Sequence, residues 1–286
     1  MRHAIAALCA VVLTMLAPPR AAQAGDLVTF DSARYLLGSL QQRLARERGE
    51  AIARPPRDRI QGYLAKPDGA GPFAAVVHLH GCGGLTEDRR IAAEQQFTAL
   101  GYVTLIVDSF TTRGLKEACS GRGALPSREA DAIGALEYLA TLPFVDAKRI
   151  ALLGYSQGGD AALSLATASE TALFELPGGL SFKAAVAYYP MCGAAGDDLA
   201  IPTLILAGEL DDWARASECT RLMRRWNHNS AALWVTIFPE AYHDFDNPKA
   251  TPHGIRYFGH WLRYNPEAAA AAARQVKSFL SRELHN

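Results

Sequence analysis

The stretch RIALLGYSQGGDAALSLA, residues 149–166, decides how the whole chain is read. Its first part is a short apolar run suited to a buried strand, and from Gln157 onward small residues follow in a helical pattern. Between them stands Gly154-Tyr155-Ser156-Gln157-Gly158. A strand that becomes a helix within so few residues forces the turning residue into a strained conformation, and a glycine two positions to either side removes side chains that would clash. Ser156 is then a nucleophile raised above the carboxyl edge of a sheet, or only a small residue at a crowded junction. The five-residue pattern is common, so its surroundings must decide.

Those surroundings alternate. FAAVVHLHG (73–81), YVTLIVDS (102–109), KAAVAYYP (183–190), PTLILAGE (202–209) and ALWVTIFP (232–239) are further short apolar runs, rich in Val, Ile and Leu. Continuous runs of this kind fit strands covered on both faces. RIQGYLAKP (59–67) alternates like an edge strand. Helical patterns fall at 86–100, at 127–141 with Ser127 as N-cap, at 157–168, at 213–227 and at 266–284. Strand and helix in alternation imply an α/β fold with a mostly parallel, doubly wound sheet flanked by helices. No linker or internal repeat divides it. Ahead of it, Ala33, Leu36, Leu37, Leu40 and Leu44 are helically spaced, so residues 25–57 are expected to form a helical extension leading into a domain at 58–286.

Composition narrows the function. The chain is 49% hydrophobic and 20% charged, and its 29 basic and 29 acidic residues cancel. Bulk charge therefore offers nothing to nucleic acid or to an anionic membrane. Met1-Arg2-His3, an apolar run at 4–17 and the small residues of Ala22-Gln23-Ala24 read as a signal peptide over 1–24, cleaved after Ala24. The run falls short of the roughly 20 residues that span a bilayer and is broken by Pro18-Pro19, so no membrane anchor is expected. Losing Arg2 and Arg20 leaves 27 basic against 29 acidic residues, a net −2. The expected location is exported, periplasmic or secreted.

A serine nucleophile needs a base and an acid to orient it, in the chain order Ser, Asp or Glu, His for this kind of fold. After PTLILAGE come Asp211 and Asp212, and after the last apolar run comes His243. Ser156, the acid and His243 thus all leave the carboxyl ends of parallel strands, the edge where open α/β sheets bind ligands. A helix start near Trp213 makes N-capping the competing role for either aspartate, and Asp211 is preferred as the acid. The remaining need is an oxyanion hole. The amide of Gln157, next after the nucleophile, is one donor, and the glycine-rich LHGCGGL (79–85) supplies the other through the amide of Cys82.

Together VVHLHGCGGL, YVTLIVDSF, PFVDAKRIALLGYSQGG, PTLILAGELDDW and YHDFD resemble the dienelactone hydrolase family of α/β hydrolases, over roughly residues 58–284. The resemblance implies an α/β-hydrolase fold of about eight strands with one antiparallel edge, hydrolysis of a small ester or lactone, a triad of Ser156, Asp211 and His243, and no metal or organic cofactor. Two departures matter. Family members proper use a cysteine nucleophile attended by a glutamate, whose place Gly81 takes. They also hold a substrate carboxylate with arginines, and Asn247 stands four residues after the histidine. The chain reads as an exported serine branch of the family.

Four cysteines remain beyond residue 24, an even number that suits disulfides in an oxidising compartment. In the implied fold Cys82 and Cys119 follow two neighbouring strands and Cys192 and Cys219 flank the next such pair, so Cys82–Cys119 and Cys192–Cys219 are expected. Arg113, Lys116, Arg122 and Arg128 read as solvated surface charge around one loop. His78, His80, His253 and His260 lack metal-ligand spacing. The expected function is a serine hydrolase acting on carboxylic esters or lactones through an acyl-enzyme. The alternatives are a peptidase or small-amide hydrolase of the same fold and a non-catalytic binding protein.

Overall fold

The computed structural model describes residues 25–49, 57–122 and 125–285. The signal peptide expected over 1–24 lies outside the described residues. The first half of the fold runs β1 (Asp26–Asp31), α1 (Ser39–Arg48), β2 (Arg59–Ala65), β3 (Phe73–Leu79), α2 (Glu87–Ala99), β4 (Val103–Asp108), α3 (Arg128–Ala140), β5 (Val145–Tyr155) and α4 (Gln157–Leu165). The second runs α5 (Ala168–Thr171), β6 (Ala184–Tyr188), β7 (Thr203–Gly208), α6 (Ala216–Arg225), β8 (Leu233–Phe238), β9 (Ile255–Tyr257), β10 (His260–Leu262) and α7 (Pro266–His285).

The sheet has eight strands in the order β1-β2-β4-β3-β5-β6-β7-β8. From β4 to β8 every neighbouring pair is parallel, while β2 runs antiparallel to both β1 and β4. The reversed strand is therefore second from the edge. Alternate side chains feed two layers. Val76, Ile106 and Leu153 meet Phe97 of α2 and Phe279 of α7, while Val77, Leu105 and Leu152 meet Ile133 and Leu136 of α3. This double cover is the reason the strands read as unbroken apolar runs.

Part of the expected helical extension is corrected. Residues 26–31 are not helical but form β1, whose register puts Phe30 opposite Ile60. The period is two: Phe30 is buried while Leu27 is exposed. The helix begins only after Gly38, an extended N-cap. The first strand thus belongs to the same sheet as the domain expected at 58–286.

The arginine reading is corrected as well. Lys116 and Arg122 are exposed, but Arg113 grips Asp131 of α3 with both guanidinium arms, Nη1 to Oδ2 at 2.8 Å and Nη2 to Oδ1 at 2.9 Å. Asp131 is fully buried, and the Ser32 hydroxyl also donates to it at 2.8 Å. One carboxylate thereby ties the loop after β4 to α3 and to the end of β1. The guanidinium fork matches a carboxylate in a way a solvated ammonium does not.

Arg113→Met leaves the Asp131 carboxylate buried without its cation. It is expected to lower stability by about 3–5 kcal/mol, measured as the midpoint shift in urea unfolding at neutral pH.

Candidate active site

The junction of β5 and α4 has the strained form its glycines foretell. Ser156 has φ 52° and ψ −120° and caps α4. A Cβ on Gly154 would lie 1.9 Å from the Gly158 carbonyl oxygen, and one on Gly158 would lie 2.6 Å from that of Leu79. Neither position admits a side chain. Ser156 N–H donates to Tyr188 O at 2.9 Å, which fastens the turn to the end of β6.

His243 lies on the loop after β8, with its Nε2 2.9 Å from Ser156 Oγ and its Nδ1 2.7 Å from Asp211 Oδ2. A carboxylate can only accept, so Nδ1 carries the proton and Nε2 is left to accept from the serine hydroxyl. Asp211, at the end of β7, is buried, and its Oδ1 accepts from the amides of Trp213 and Ala214 at 2.8 Å each. The helix expected to start near Trp213 begins only at Ala216, with Arg215 as its N-cap, so Asp211 caps no helix: one oxygen holds the turn at 213–214 and the other meets His243. Asp212 points elsewhere: its Oδ1 accepts from the Trp261 amide at 3.0 Å.

Across from His243 runs the loop of Gly81 to Gly84. It packs directly on the serine, since a Cβ on Gly81 would lie 3.4 Å from Ser156 Cβ. Cys82 is disulfide-bonded to Cys119 with Cα atoms 4.9 Å apart, and the Ala118 amide donates to Cys82 O at 2.8 Å. Cys192 is bonded in the same way to Cys219, at the same Cα separation. Gln157 opens α4, so its amide has no acceptor within the helix. Loop, serine and histidine line an open pocket of ≈ 230 Å³, together with Arg89, Trp213, Ile255, Tyr257 and Leu262.

Two groups beneath this pocket escaped the sequence reading. Arg128 is 3% exposed, not solvated. Its Nη2 donates to His80 O at 2.8 Å, its Nη1 to Gln157 Oε1 at 3.2 Å, and its guanidinium lies 5.1 Å from the Phe110 ring. Burial lowers its pKa to about 10. Burial also holds the His80 ring neutral, well below the usual histidine range, with Nδ1–H donating to Gly81 O at 2.7 Å. Nothing in the spacing marked Arg128, because it sits at the start of α3 and reaches the site only through the packing of the layers.

The second group flanks His243. Arg89 pairs with Asp244, and the Tyr189 hydroxyl lies 3.1 Å from Asp244 Oδ1 and 2.7 Å from Asp246 Oδ1. Burial alone would raise both carboxyls, but Arg89 and the Asn247 amide hold that of Asp244 below its ordinary value. Asp246 has no such fork, and burial beside a second carboxylate raises it. Asn247, noted for its place four after the histidine, therefore serves this cluster. Among the described residues no group of three or more His, Cys, Asp or Glu is placed to hold a metal ion.

The model of the family described as "Dienelactone hydrolase family" matches residues 60–284. Among solved structures, a dienelactone hydrolase-like promiscuous phosphotriesterase from metagenomic libraries is 19% identical, covers 91% of this chain and 99% of its own, and superposes with a TM-score of 0.61. A dienelactone hydrolase from Anabaena variabilis is 22% identical over 79% of this chain and 93% of its own, with a TM-score of 0.57. A thermophilic esterase from Thermogutta terrifontis is 18% identical over 79% of this chain and 88% of its own, also at 0.57. At these identities the structural likeness speaks to the fold: a mostly parallel central sheet flanked by helices.

One titratable group here gives a pH signature. Asp160, four residues after Ser156, accepts from the Met191 amide at 2.6 Å, and burial raises its carboxyl to about 6. A carboxyl raised by folding contributes stability that is present at low pH and lost as pH rises from about 4 through 6. Asp160→Asn keeps a neutral acceptor for Met191. It is expected to add about 1–3 kcal/mol at pH 8 and almost nothing at pH 4, measured by urea unfolding across that range.

Proposed function

The chain belongs to the dienelactone hydrolase family of esterase-like hydrolases, and from that premise we propose that it cleaves carboxylic esters or lactones with Ser156 as nucleophile, through an acyl-enzyme. The observation that carries this reading is the unbroken line from Asp211 through His243 to Ser156 Oγ, with spacings of 2.7 and 2.9 Å at the mouth of a pocket. Family membership alone does not choose the nucleophile. The strained Ser156 backbone supports a functional residue there, since such strain is held only where surrounding structure enforces it.

In this reading His243 Nε2 takes the Ser156 proton as Oγ bonds to the substrate carbonyl carbon. The carbonyl oxygen, now negative, accepts from the amides of Gln157 and Cys82. The C–O bond to the alcohol breaks, and His243 passes its proton to the departing oxygen. Water then attacks the acyl-serine with His243 again as base, releasing the acid and restoring the hydroxyl. Asp211 keeps the imidazole in the required tautomer and faces the imidazolium that forms.

We also propose that the protein is exported, with residues 1–24 removed after Ala24. The two disulfides support an oxidising compartment, and among the described residues no helix is long and apolar enough to cross a membrane. A third observation supports the cleavage point. The Gly25 nitrogen lies 3.1 Å from Oε2 of Glu94, a buried carboxylate that also binds Arg90. Cleavage there would set a new ammonium group against an existing carboxylate.

A fluorophosphonate probe is expected to label the wild type and not Ser156→Ala, and that variant is expected to lose at least about 10⁴-fold in kcat on an activated ester. Equal labelling of the two proteins overturns the assignment. N-terminal sequencing of the exported protein is expected to begin Gly-Asp-Leu-Val, and a start within or before the apolar run overturns the processing site.

A further inference from the structure

The β9–β10 hairpin has no counterpart in the triad or in the oxyanion loop, yet it walls the pocket. We propose that this hairpin, residues 255–262, is the specificity element of the site and selects esters whose alcohol part carries an aromatic ring. The inference rests on the reading of Ser156 as nucleophile and His243 as base.

Position decides which half of the ester the hairpin meets. Leu262 forms a parallel bridge with His243, and the Arg263 amide donates to His243 O at 3.2 Å, so the hairpin is joined to the base itself. The departing alcohol oxygen must lie within reach of His243 Nε2 to receive its proton, whereas the acyl carbon stays on Ser156. The group carried by the leaving oxygen therefore extends along the histidine side of the pocket. The wall there is apolar and aromatic. The Trp213 ring centre is 5.2 Å from that of His243, and Ile255, Tyr257 and Leu262 continue this wall, while Thr86 and the Arg89–Asp244 pair line another part of the pocket. At its far end the wall meets the oxyanion loop, since the Tyr257 hydroxyl comes within 3.4 Å of where a Cβ on Gly83 would stand. Trp213 and Tyr257, with ring centres 6.3 Å apart, thus present aromatic surface beside the base for a flat group to pack on.

This apolar wall continues to the surface. Ile255, which lines the pocket, is 43% exposed, and Phe258, whose ring meets that of Tyr257 edge to face at 4.8 Å, is 47% exposed, an exposure of large apolar side chains that an apolar ligand would relieve. The hairpin is also held in register. Asp212 accepts from the Trp261 amide at 3.0 Å and stands 3.6 Å from His260 Nδ1, and the His260 ring stacks on Trp213 at 4.7 Å and 17°. Asp212 is thus a positioning residue, acting on the substrate through the hairpin and Trp213.

The test compares ethyl acetate, benzyl acetate and ethyl phenylacetate on the purified full-length exported protein. The first two share an acyl group and release primary alcohols, so they differ in what the leaving oxygen carries; the third puts the ring on the acyl side. The expected kcat/KM for benzyl acetate is at least about tenfold above ethyl acetate, with a clearly smaller gain for ethyl phenylacetate. Ile255→Ser, at an exposed position, and Asp212→Ala, which removes the acceptor for the Trp261 amide, are each expected to reduce the benzyl-to-ethyl ratio at least about threefold, chiefly through KM for benzyl acetate. A wild-type ratio near one, an equal gain for ethyl phenylacetate, or ratios unmoved in both variants overturns the proposal. Fluorophosphonate labelling of Ser156 without turnover of any of the three esters overturns it alone. Failure of both labelling and turnover overturns the hydrolase reading on which it stands.

Discussion

With a Cβ on Gly154 excluded by the Gly158 carbonyl, β5 and α4 can meet only where both positions are bare, and the rest of the site depends on that approach. The meeting forces Ser156 to φ 52°, a conformation that costs about 1–3 kcal/mol for a residue with a side chain. The strain persists because it is held at both ends. The Ser156 amide is bonded to Tyr188 on the neighbouring strand, and its carbonyl accepts from Asp160 in the first turn of α4. One geometric act accomplishes two things: the hydroxyl is lifted to face His243, and the first amide of α4 is left without an intrahelical acceptor beside it.

Around this turn the polar groups are arranged in layers, each fixing the next. Asp211 is immobilised by two amides through one oxygen before it meets His243 with the other, so the imidazole is oriented by a carboxylate that is itself oriented. On the far side Arg128 makes no ion pair among the described residues and instead donates to the His80 carbonyl and the Gln157 side chain. A buried cation biases its end of the site positive, in favour of negative charge developing nearby. The Cys82–Cys119 bond closes the loop above it, a loop of 37 residues for which chain entropy alone corresponds to about 4 kcal/mol.

What the sequence made legible follows from this layering. The central strands could be read because cover on both faces makes them continuous apolar runs, and Ser156, Asp211 and His243 could be ordered because each leaves the end of such a run. Strand β1 was hidden by its neighbours. Leu36, Leu37, Leu40 and Leu44 suggested a helix reaching back over it, while its own period of two spans only six residues. Arg113 and Arg128 depart from the solvated charge expected of them for a different reason: local sequence shows that a cation is present but not which carboxylate or carbonyl the tertiary fold brings to it. The hairpin of β9 and β10, three residues each, is too short to carry any periodicity.

The doublet Asp211-Asp212 shows how adjacent identical residues come to differ. At the end of β7 the chain turns sharply, and successive side chains leave on different sides of the turn. Asp211 is drawn inward by the Trp213 and Ala214 amides and becomes fully enclosed, whereas Asp212 stays 41% exposed in its side chain and reaches the Trp261 amide. The orientation of His243 and the placement of the hairpin are thereby anchored to neighbouring residues in the turn after β7. Trp213, next in the chain, stands between His243 and His260 and touches both arrangements. The wall is in this way tied to the same turn that orients His243. Ile255 and Phe258 take no part in the hydrogen bonds that join Asp211, His243 and Ser156, so their side chains can change while that line stays in place.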